Sequence, residues 1–273
     1  MLRTLRLGYV VSAIAFTTLF LYPWLAAARL FGYRHGLRLV PKVYHCIVRA
    51  LLGMRISIQG APSSRRPLLL VANHTSWLDI VVISSFVPAI FVAKQEVEGW
   101  PIFGWLAQLQ RSIFVNRDRR QLIDTTISLV ADALVAGEIV AIFPEGTSTD
   151  GTDVFPFRSA LIGAARETLR KAEHLSAIFV QPLSIAYVGA NRRLAVWARE
   201  DEIPIDQHVL QVIGMRRIEV TLKWGDPIPA DIRSDRKVLA KQLEEAIRQS
   251  IAQRRHEEIG CVVISNSNLG PAT

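Results

Sequence analysis

The stretch LLLVANHTSWLD, residues 68–79, decides how this chain folds. Its first five residues are all apolar, and a run without alternation is typical of a strand that is covered on both faces of a sheet. The polar residues Asn73 to Ser76 then predict a turn, and a helix is expected to begin near Ser76. A buried strand that leads directly into a helix is the building unit of an α/β domain.

Similar apolar runs recur along the chain and alternate with segments of helical spacing, such as 123–134 and 239–251. This alternation predicts an α/β domain over residues 54–258, with a mostly buried central sheet flanked by helices. Residues 259–273 mix Ser, Asn, Gly and Pro and are expected to form a disordered tail. The predicted strands are Arg55–Gln59, Leu68–Ala72, Ile90–Ala93, Ser112–Val115, Ile139–Phe143, Ala177–Tyr187, Leu194–Ala198 and Ile218–Trp224.

The first part of the chain, residues 1–53, is predicted to form membrane-anchoring helices. Residues 7–28 are twenty-two positions without a charge, and as a helix they would span about 33 Å, against about 30 Å for a hydrocarbon core. Pro23 would bend that helix or push it into the membrane interface. A cleaved signal peptide is the rival interpretation, but its apolar region is usually shorter. Residues 36–53 fit either a helix on the membrane surface or an ordinary core helix.

Composition favours membrane lipids as the anionic partner. The chain has 32 Lys and Arg residues against 24 Asp and Glu, a net charge of +8, and 50% hydrophobic residues. A basic chain suits nucleic acid or an anionic membrane surface, but nucleic-acid modules are basic and polar, so no nucleic-acid partner is expected. More basic residues follow the apolar segment than precede it, which places the main domain on the cytoplasmic side of the inner membrane.

Several chemistries lack their sequence patterns. Cys46 and Cys261 lie far apart and indicate reduced thiols rather than a disulfide framework. The six histidines show no HExxH or HxH spacing, so no metal site is expected. Neither GxSxG nor GxxxxGK[ST] nor a strand-linked GxGxxG is present, which argues against a serine-hydrolase elbow and against nucleotide binding.

His74 and Asp79 could form a catalytic pair. If His74 lies in the turn before the helix, its ring can fold back toward Asp79, whose carboxylate would fix the tautomer and stabilise the imidazolium. The other ring nitrogen would then be able to take a proton from a hydroxyl group. The same residues also fit a polar turn in which Thr75 or Ser76 caps the helix.

Three further stretches could carry chemistry. Residues 143–151, FPEGTSTDG, leave a predicted strand through a tight turn at Gly146, where main-chain N–H groups could face an oxyanion; a plain turn is the alternative. Residues 112–117, SIFVNR, end in Arg117, a cation that could hold a phosphate or a carboxylate. The apolar run around Pro182 suggests a sheet edge or a bend that lines a pocket. Sites of α/β sheets lie at the carboxyl ends of strands.

Together these stretches resemble the glycerolipid acyltransferase family, whose reference member is lysophosphatidic acid acyltransferase of the PlsC type. The family's NHxSxxD block is similar to residues 73–79, its strand-arginine block to 113–117, its FPEGT block to 143–147 and its proline block to 180–183. The resemblance implies a membrane-bound enzyme that moves a fatty acyl group to the free hydroxyl of a lysolipid. The donor would be a thioester of acyl-carrier protein or coenzyme A, with no further cofactor.

The resemblance also implies roles for individual residues. His74 would be the general base and Asp79 its orienting partner. Glu145, Gly146 and Thr147 would shape the acceptor and oxyanion site. Lys94 and Arg117 would hold the acceptor head group.

One position departs from the family pattern. Where the family commonly continues FPEGTR, this chain has Ser148, and serine cannot give a bidentate, charged grip on a phosphate. Two acceptors therefore stay open: lysophosphatidate, which dominates the family and would yield phosphatidic acid, and lyso-ornithine lipid, which carries no phosphate. A non-catalytic membrane-binding protein is a distant third interpretation, disfavoured because His74 and Asp79 are both present.

Overall fold

The computed structural model describes residues 2–116, 120–198 and 203–267. Within them, one sheet contains eight strands: β1 (Met54–Gln59), β2 (Leu68–Ala72), β3 (Ala89–Lys94), β4 (Ile113–Val115), β5 (Ile139–Ile142), β6 (Ile178–Val188), β7 (Ile218–Trp224) and β8 (Ile228–Ala230). The order of the strands is β1-β7-β6-β2-β5-β3-β4, and β8 pairs with β6 outside that path.

The centre of the sheet is parallel, and β2 lies in its middle. It pairs in parallel with β5 on one side and with β6 on the other, while β5 is followed by β3 and then β4. Every residue of β2 and β5 is buried, as predicted from their continuous apolar runs. The carboxyl ends of β2, β5, β3 and β4 therefore open on one edge of the sheet.

Helices cover both faces of the sheet, which confirms the predicted α/β architecture. The helices are α1 (Leu2–Leu30), α2 (Arg34–Leu51), α3 (Leu78–Phe86), α4 (Gln95–Glu98), α5 (Phe103–Leu109), α6 (Arg120–Val135), α7 (Ala164–Lys171), α8 (Arg192–Ala195), α9 (Ile205–Ile213) and α10 (Arg236–Ser267). Leu68, Leu70 and Ala72 of β2 face one core with α2, α3 and α9, while Leu69 and Val71 face a second core with α6, α7 and α10. Side chains that alternate between two faces have the period of two expected of a strand.

The two N-terminal helices pack on the sheet domain. Val10 of α1 and Val48 of α2 belong to the same buried core as β2. The core therefore continues across residue 53, and a boundary there between an anchoring segment and the α/β domain stays a prediction. The outer side of α2 exposes Leu39, Val43 and Ile47. One side of α2 is therefore a core helix, and the position of its outer side on a membrane surface stays a prediction. Within the described residues, Arg3–Leu30 is the one helix long and apolar enough to cross a membrane.

One predicted strand is wrong, and one strand of the structure was not predicted. Leu194–Ala198 is not a strand: residues 192–195 form α8, and the N–H of Trp197 donates to the carbonyl of Thr75 at 2.8 Å instead of joining a ladder. The missed strand is β8, which pairs with only one neighbour, β6. It contains Pro229, and a proline within a run argues against a central strand.

Helix α10 extends to Ser267, into the range 259–273 for which the sequence predicts a disordered tail; the disorder of that tail stays a prediction. The first proline after the start of this helix is Pro271, so no residue before it removes a backbone donor. The rest of the predicted tail, residues 268–273, lies outside the described residues.

Pro182 lies in the central strand β6, not at the predicted sheet edge. On the side away from β2, residues 178–180 of β6 pair with β8 and residues 183–188 pair with β7. Pro182 falls in the gap between these two partners, where the strand needs no ladder donor. Its carbonyl accepts a hydrogen bond from the N–H of Gly225 at 2.9 Å.

Candidate active site

The turn between β2 and α3 brings His74 and Asp79 together. Asp79 lies in the first turn of α3, and its Oδ2 contacts His74 Nδ1 at 2.8 Å. The same oxygen accepts the backbone N–H groups of Thr75 at 2.8 Å and Ser76 at 3.0 Å. The predicted return of the ring to Asp79 is confirmed. Asp79 satisfies the N–H groups of Thr75 and Ser76, and the Ser76 hydroxyl accepts the N–H of Leu78, the first residue of α3, at 3.4 Å, so the alternative of a polar turn capped by Ser76 is present as well.

The second oxygen of Asp79 is held by a residue far along the chain. The hydroxyl of Tyr187, in β6, donates to Oδ1 at 2.8 Å. Both side chains are fully buried, and burial together with the neighbouring carboxylate raises the pKa of Tyr187 well above its ordinary value. Tyr187 therefore stays protonated and keeps its hydrogen bond. Sequence reasoning missed this residue, because it is one aromatic in an apolar strand.

The His74 ring lies at the open edge of the sheet. It stacks on Phe143, which follows β5, with 4.3 Å between ring centroids. About a quarter of the side chain is exposed (24%), while the Asp79 side chain is fully buried. Because Nδ1 faces Asp79, Nε2 is the nitrogen that can exchange a proton with a ligand.

The loop after β5 holds the backbone of His74 from both sides. Glu145 Oε1 accepts the N–H of His74 at 2.7 Å, and the N–H of Thr149 donates to the carbonyl of His74 at 2.9 Å. The other oxygen of Glu145 accepts the N–H of Phe155 at 2.8 Å. With both oxygens engaged and 3% of the residue exposed, Glu145 is placed to position His74 rather than to contact an acceptor.

The ionisation of Glu145 is shifted by its surroundings. Burial raises its pKa to about 7, against the opposing effect of the backbone N–H donors of Phe155 and His74. A carboxyl group that titrates near neutral pH beside a histidine is a common feature of functional sites.

Gly146 makes the turn that follows. Its φ is +80°, a backbone conformation that favours glycine. Its N–H donates to the carbonyl of Phe143 at 3.3 Å. This hydrogen bond would have to open before the N–H of Gly146 could donate to an oxyanion. Thr147 and Ser148 follow, both half-buried.

Of the two predicted head-group residues, Lys94 lies within the described part of the chain. Lys94 ends β3 opposite Val115 of β4, which places its exposed side chain on the same sheet edge as His74 and Glu145. Arg117 lies outside the described residues; Asn116, directly before it, follows the end of β4.

Two polar residues of the motif blocks are structural ties. Asn73 exchanges two hydrogen bonds with the backbone of Ile185, at 2.9 and 2.8 Å, and so continues the pairing of β2 with β6. Gln181 is buried and accepts the N–H of Ser63 at 2.9 Å, and its amide donates to the carbonyls of Ala61 and Gly225. The spacing of these residues reflects folding as well as chemistry.

The fold and this site define an acyltransferase. A sequence profile of the acyltransferase family matches residues 55–186. The chain is 38% identical over 258 residues to lyso-ornithine lipid O-acyltransferase of Brucella abortus, covering 91% of this chain and 94% of that protein. The chain therefore belongs to the acyltransferase family, as the sequence blocks predicted.

Other relatives carry two different names. A lyso-ornithine lipid O-acyltransferase of Rhizobium meliloti is 36% identical over 80% of this chain and 76% of that protein. A 1-acyl-sn-glycerol-3-phosphate acyltransferase of Neisseria gonorrhoeae is 28% identical over 74% of this chain and 78% of that protein. The crystal structure of PlsC from Thermotoga maritima matches 93% of this chain and 95% of that one with a TM-score of 0.67 and 22% identity, and so has the same fold.

Proposed function

We propose that this protein is a membrane-bound lysolipid O-acyltransferase, which moves a fatty acyl group from acyl-carrier protein or coenzyme A to the free hydroxyl of a lysolipid. One observation carries the proposal: the partly exposed His74 is hydrogen bonded to the buried carboxylate of Asp79 at the open edge of a parallel sheet. This arrangement suits a base that activates a hydroxyl group.

In the proposed reaction, His74 Nε2 takes the proton of the acceptor hydroxyl while the hydroxyl oxygen attacks the carbonyl carbon of the thioester. The tetrahedral intermediate collapses, the C–S bond breaks, and the new ester C–O bond remains. The imidazolium then returns its proton to the departing thiolate. Asp79 stabilises the imidazolium and fixes its orientation, and Tyr187 and the N–H groups of Thr75 and Ser76 hold Asp79.

The other site residues act through binding and positioning. General-base catalysis supplies about 10²- to 10⁴-fold, so the remaining acceleration comes from oriented substrates and a stabilised oxyanion. We assign Glu145 to positioning His74, the turn of Gly146 and Thr147 to the acceptor and oxyanion site, and Lys94 with Arg117 to the acceptor head group.

Among acceptors, lyso-ornithine lipid has the stronger support. The relatives at 38% and 36% identity are named for it, while the relative at 28% is named for 1-acyl-sn-glycerol-3-phosphate. Ser148, where the family commonly has an arginine, removes a charged grip on phosphate. Lysophosphatidate is the second candidate, favoured by Lys94 at the sheet edge and by the shared fold with PlsC. The carboxylate of an ornithine head group would also suit Lys94.

We place the enzyme on the cytoplasmic face of the inner membrane. Support comes from the apolar helix α1 and from the net charge of +8, which suits an anionic lipid surface. Acyl-carrier protein and coenzyme A thioesters are soluble donors, so a site at the membrane surface would receive donor and lipid from opposite sides.

The test is an acyl-transfer assay that offers lyso-ornithine lipid and lysophosphatidate in parallel, each with both thioester donors. His74→Ala and Asp79→Asn are expected to lower turnover by at least about 10²-fold, because the base or its orienting partner is lost. His174→Ala, which changes an exposed histidine after α7, is the matched control. Full activity of His74→Ala would exclude it as the base, and acylation of neither lipid would refute a lysolipid acceptor.

A further inference from the structure

The connection between α4 and α5, together with the first residues of α5, carries a group of large apolar side chains. Residues 100–105 read WPIFGW, and we call this segment the 100–105 loop. Its tip, Ile102, leaves 70% of its surface exposed, and its backbone φ is +64°. A β-branched residue adopts this conformation only at a cost, and such strain persists where the surrounding structure imposes it.

The structure around the tip is closely built. Three backbone N–H groups, those of Phe103, Gly104 and Leu106, donate to the carbonyls of Pro101, Trp100 and Ile102 respectively. Gly104 packs so tightly on α4 that a Cβ atom there would lie 2.1 Å from the carbonyl oxygen of Glu98. The Ile102 side chain is therefore held outward by a defined scaffold.

This loop joins the apolar surface of α1. The ring of Trp105 packs against Tyr22 of α1 with 5.7 Å between centroids. Arg29, at the end of α1, donates to the carbonyls of Gln108 and Leu109 at the end of α5. Seven large apolar side chains of α1 are at least 60% exposed, namely Leu5, Tyr9, Phe16, Leu19, Phe20, Trp24 and Leu30.

The loop also contacts the turn that holds His74. The Phe103 ring meets the ring of Trp77, three residues after His74, at 6.4 Å in an edge-to-face arrangement. Trp100 packs in the same manner on Trp197 at 6.3 Å, and the backbone N–H of Trp197 donates to the carbonyl of Thr75. Packing contacts and a hydrogen bond thus connect the 100–105 loop to the turn that holds His74.

We infer that the 100–105 loop is a second membrane contact, which inserts Ile102 into the lipid bilayer surface beside α1 and holds the His74 turn at that surface. The partner is a bilayer because the loop continues the exposed apolar side of α1. Its tryptophans suit the interface between headgroups and acyl chains, and Arg29 suits anionic headgroups. The inference rests on the proposed function for the statement that the enzyme draws its acceptor from a membrane.

The test places a polarity-sensitive fluorophore on single cysteines of the full-length protein, with Cys46 and Cys261 replaced by alanine. The probe is attached through Ile102→Cys. Phe20→Cys, on α1, is the positive control. Val238→Cys is the matched negative control, because Val238 is exposed and apolar but lies on α10, on the other face of the sheet. Vesicles of phosphatidylethanolamine and phosphatidylglycerol are then added.

The probe at position 102 is expected to shift to the blue and to be quenched by lipid-bound spin labels, as at position 20, while the probe at 238 stays accessible to aqueous iodide. A probe at 102 that stays accessible to iodide would overturn the inference. A blue shift without vesicles that grows with protein concentration would assign the loop to self-association instead, and so would also overturn it.

A second variant tests the consequence for turnover. Ile102→Asn replaces the exposed apolar tip with a polar side chain of similar size. With acceptor in vesicles at limiting surface concentration, acyl transfer is expected to fall by about tenfold, the effect of withdrawing one isoleucine side chain from lipid; in detergent micelles the variant should match the wild type. Equal rates in vesicles would contradict the inference. If wild type acylates no lysolipid yet the probe at 102 enters lipid, the proposed function fails and the membrane contact stands.

Discussion

At the scale of single residues, the site depends on how completely Asp79 is held. Its two oxygens accept hydrogen bonds from a histidine ring, two backbone N–H groups and the Tyr187 hydroxyl. Such a carboxylate is fixed before substrate arrives, which is the condition for orienting His74 without reorganisation during the reaction.

Tyr187→Phe tests this positioning. The variant removes the donor to Oδ1 but keeps the ring in the core, and hydrogen bonds to charged groups contribute about 1.5–3 kcal/mol. We expect kcat to fall by about tenfold or more with KM nearly unchanged, because substrate does not touch this residue. Tyr44→Phe, in α2, is the control: its hydroxyl faces Thr18 of α1. A change in KM alone would contradict a positioning role.

The buried carboxyl of Glu145 is expected to make the stability of the protein depend on pH. Burial raises the pKa of its carboxyl from 4.5 to about 7, so folding favours the protonated form. Its contribution to the free energy of unfolding is full below pH 4.5 and is lost as the pH rises through 7. The loss is about 3 kcal/mol, from about 1.4 kcal/mol per unit of pKa.

The measurement compares denaturant unfolding of wild type and Glu145→Gln in the same detergent between pH 4.5 and 7.5. Relative to Glu145→Gln, the wild type should lose about 3 kcal/mol of unfolding free energy as the pH rises over this range. Glu173→Gln is the control, since Glu173 is an exposed carboxyl shortly after α7, and this variant should show no such trend. A constant difference for Glu145→Gln would mean that its carboxyl titrates alike in both states.

The pair His74 and Asp79 could be predicted from sequence because both residues lie in one turn, where spacing limits their separation. Tyr187 and the Phe155 N–H could not, since they reach Asp79 and Glu145 only through strand pairing and loop packing. The motif pointed to Glu145, but only the structure shows that its oxygens accept the backbone N–H groups of His74 and Phe155; its predicted part in the acceptor site stays a prediction.

At the scale of elements, predictability follows burial. Strands β2 and β5, covered on both faces, have continuous apolar sequences and were predicted within one residue of their ends. Residues 194–198 are apolar for another reason: they pack beside Thr75 and α9, where no strand partner is required. Apolar composition records burial, and only pairing decides whether a buried segment is a strand.

Ion pairs of Glu138 fix α2 to the rest of the domain. This residue precedes β5 and is 7% exposed, and its carboxylate accepts Arg38 Nε of α2 at 3.0 Å and Arg111 Nη1 at 3.1 Å. Burial alone would raise its pKa, but the hydrogen bonds from Arg111 and Arg38 outweigh it, and the pKa lies below the ordinary value. The ion pairs thus stabilise the fold above pH 4.5, and this stabilisation is lost as the pH falls.

Glu138→Gln should lower the free energy of unfolding at pH 7 by about 1–3 kcal/mol, less than a fully buried pair because both arginines are partly exposed. The deficit should shrink toward pH 3, where wild type is protonated as well. Asp132→Asn, which breaks an exposed pair with Lys171, is the control and should change stability by less than about 1 kcal/mol. Equal effects of the two variants at pH 7 would contradict the argument.

At the scale of the whole molecule, sequence identified α1 as an apolar helix but not how it lies. Arg6, near its start, donates to the carbonyl of Met215 at 2.7 Å, and Arg29, near its end, donates to that of Gln108 at 2.7 Å. These arginines are about 35 Å apart along the helix, yet both contact the folded domain. A helix bound at both ends to one domain lies across its surface, so we expect α1 to lie in the membrane interface rather than to cross the bilayer.

This orientation predicts labelling from one side. Single cysteines at Thr4→Cys, before Arg6, and His35→Cys, after α1, should react with a membrane-impermeant maleimide from the same side of the membrane as Val238→Cys, on the domain. Inverted and right-side-out membrane vesicles distinguish the two sides. A spanning α1 would place Thr4→Cys on the side opposite to the other two, because a helix of 29 residues has the length to reach it. In that case the contacts of Arg6 and Arg29 could not both exist in the membrane-bound enzyme, and the 100–105 loop would have to meet the bilayer without α1 along its side.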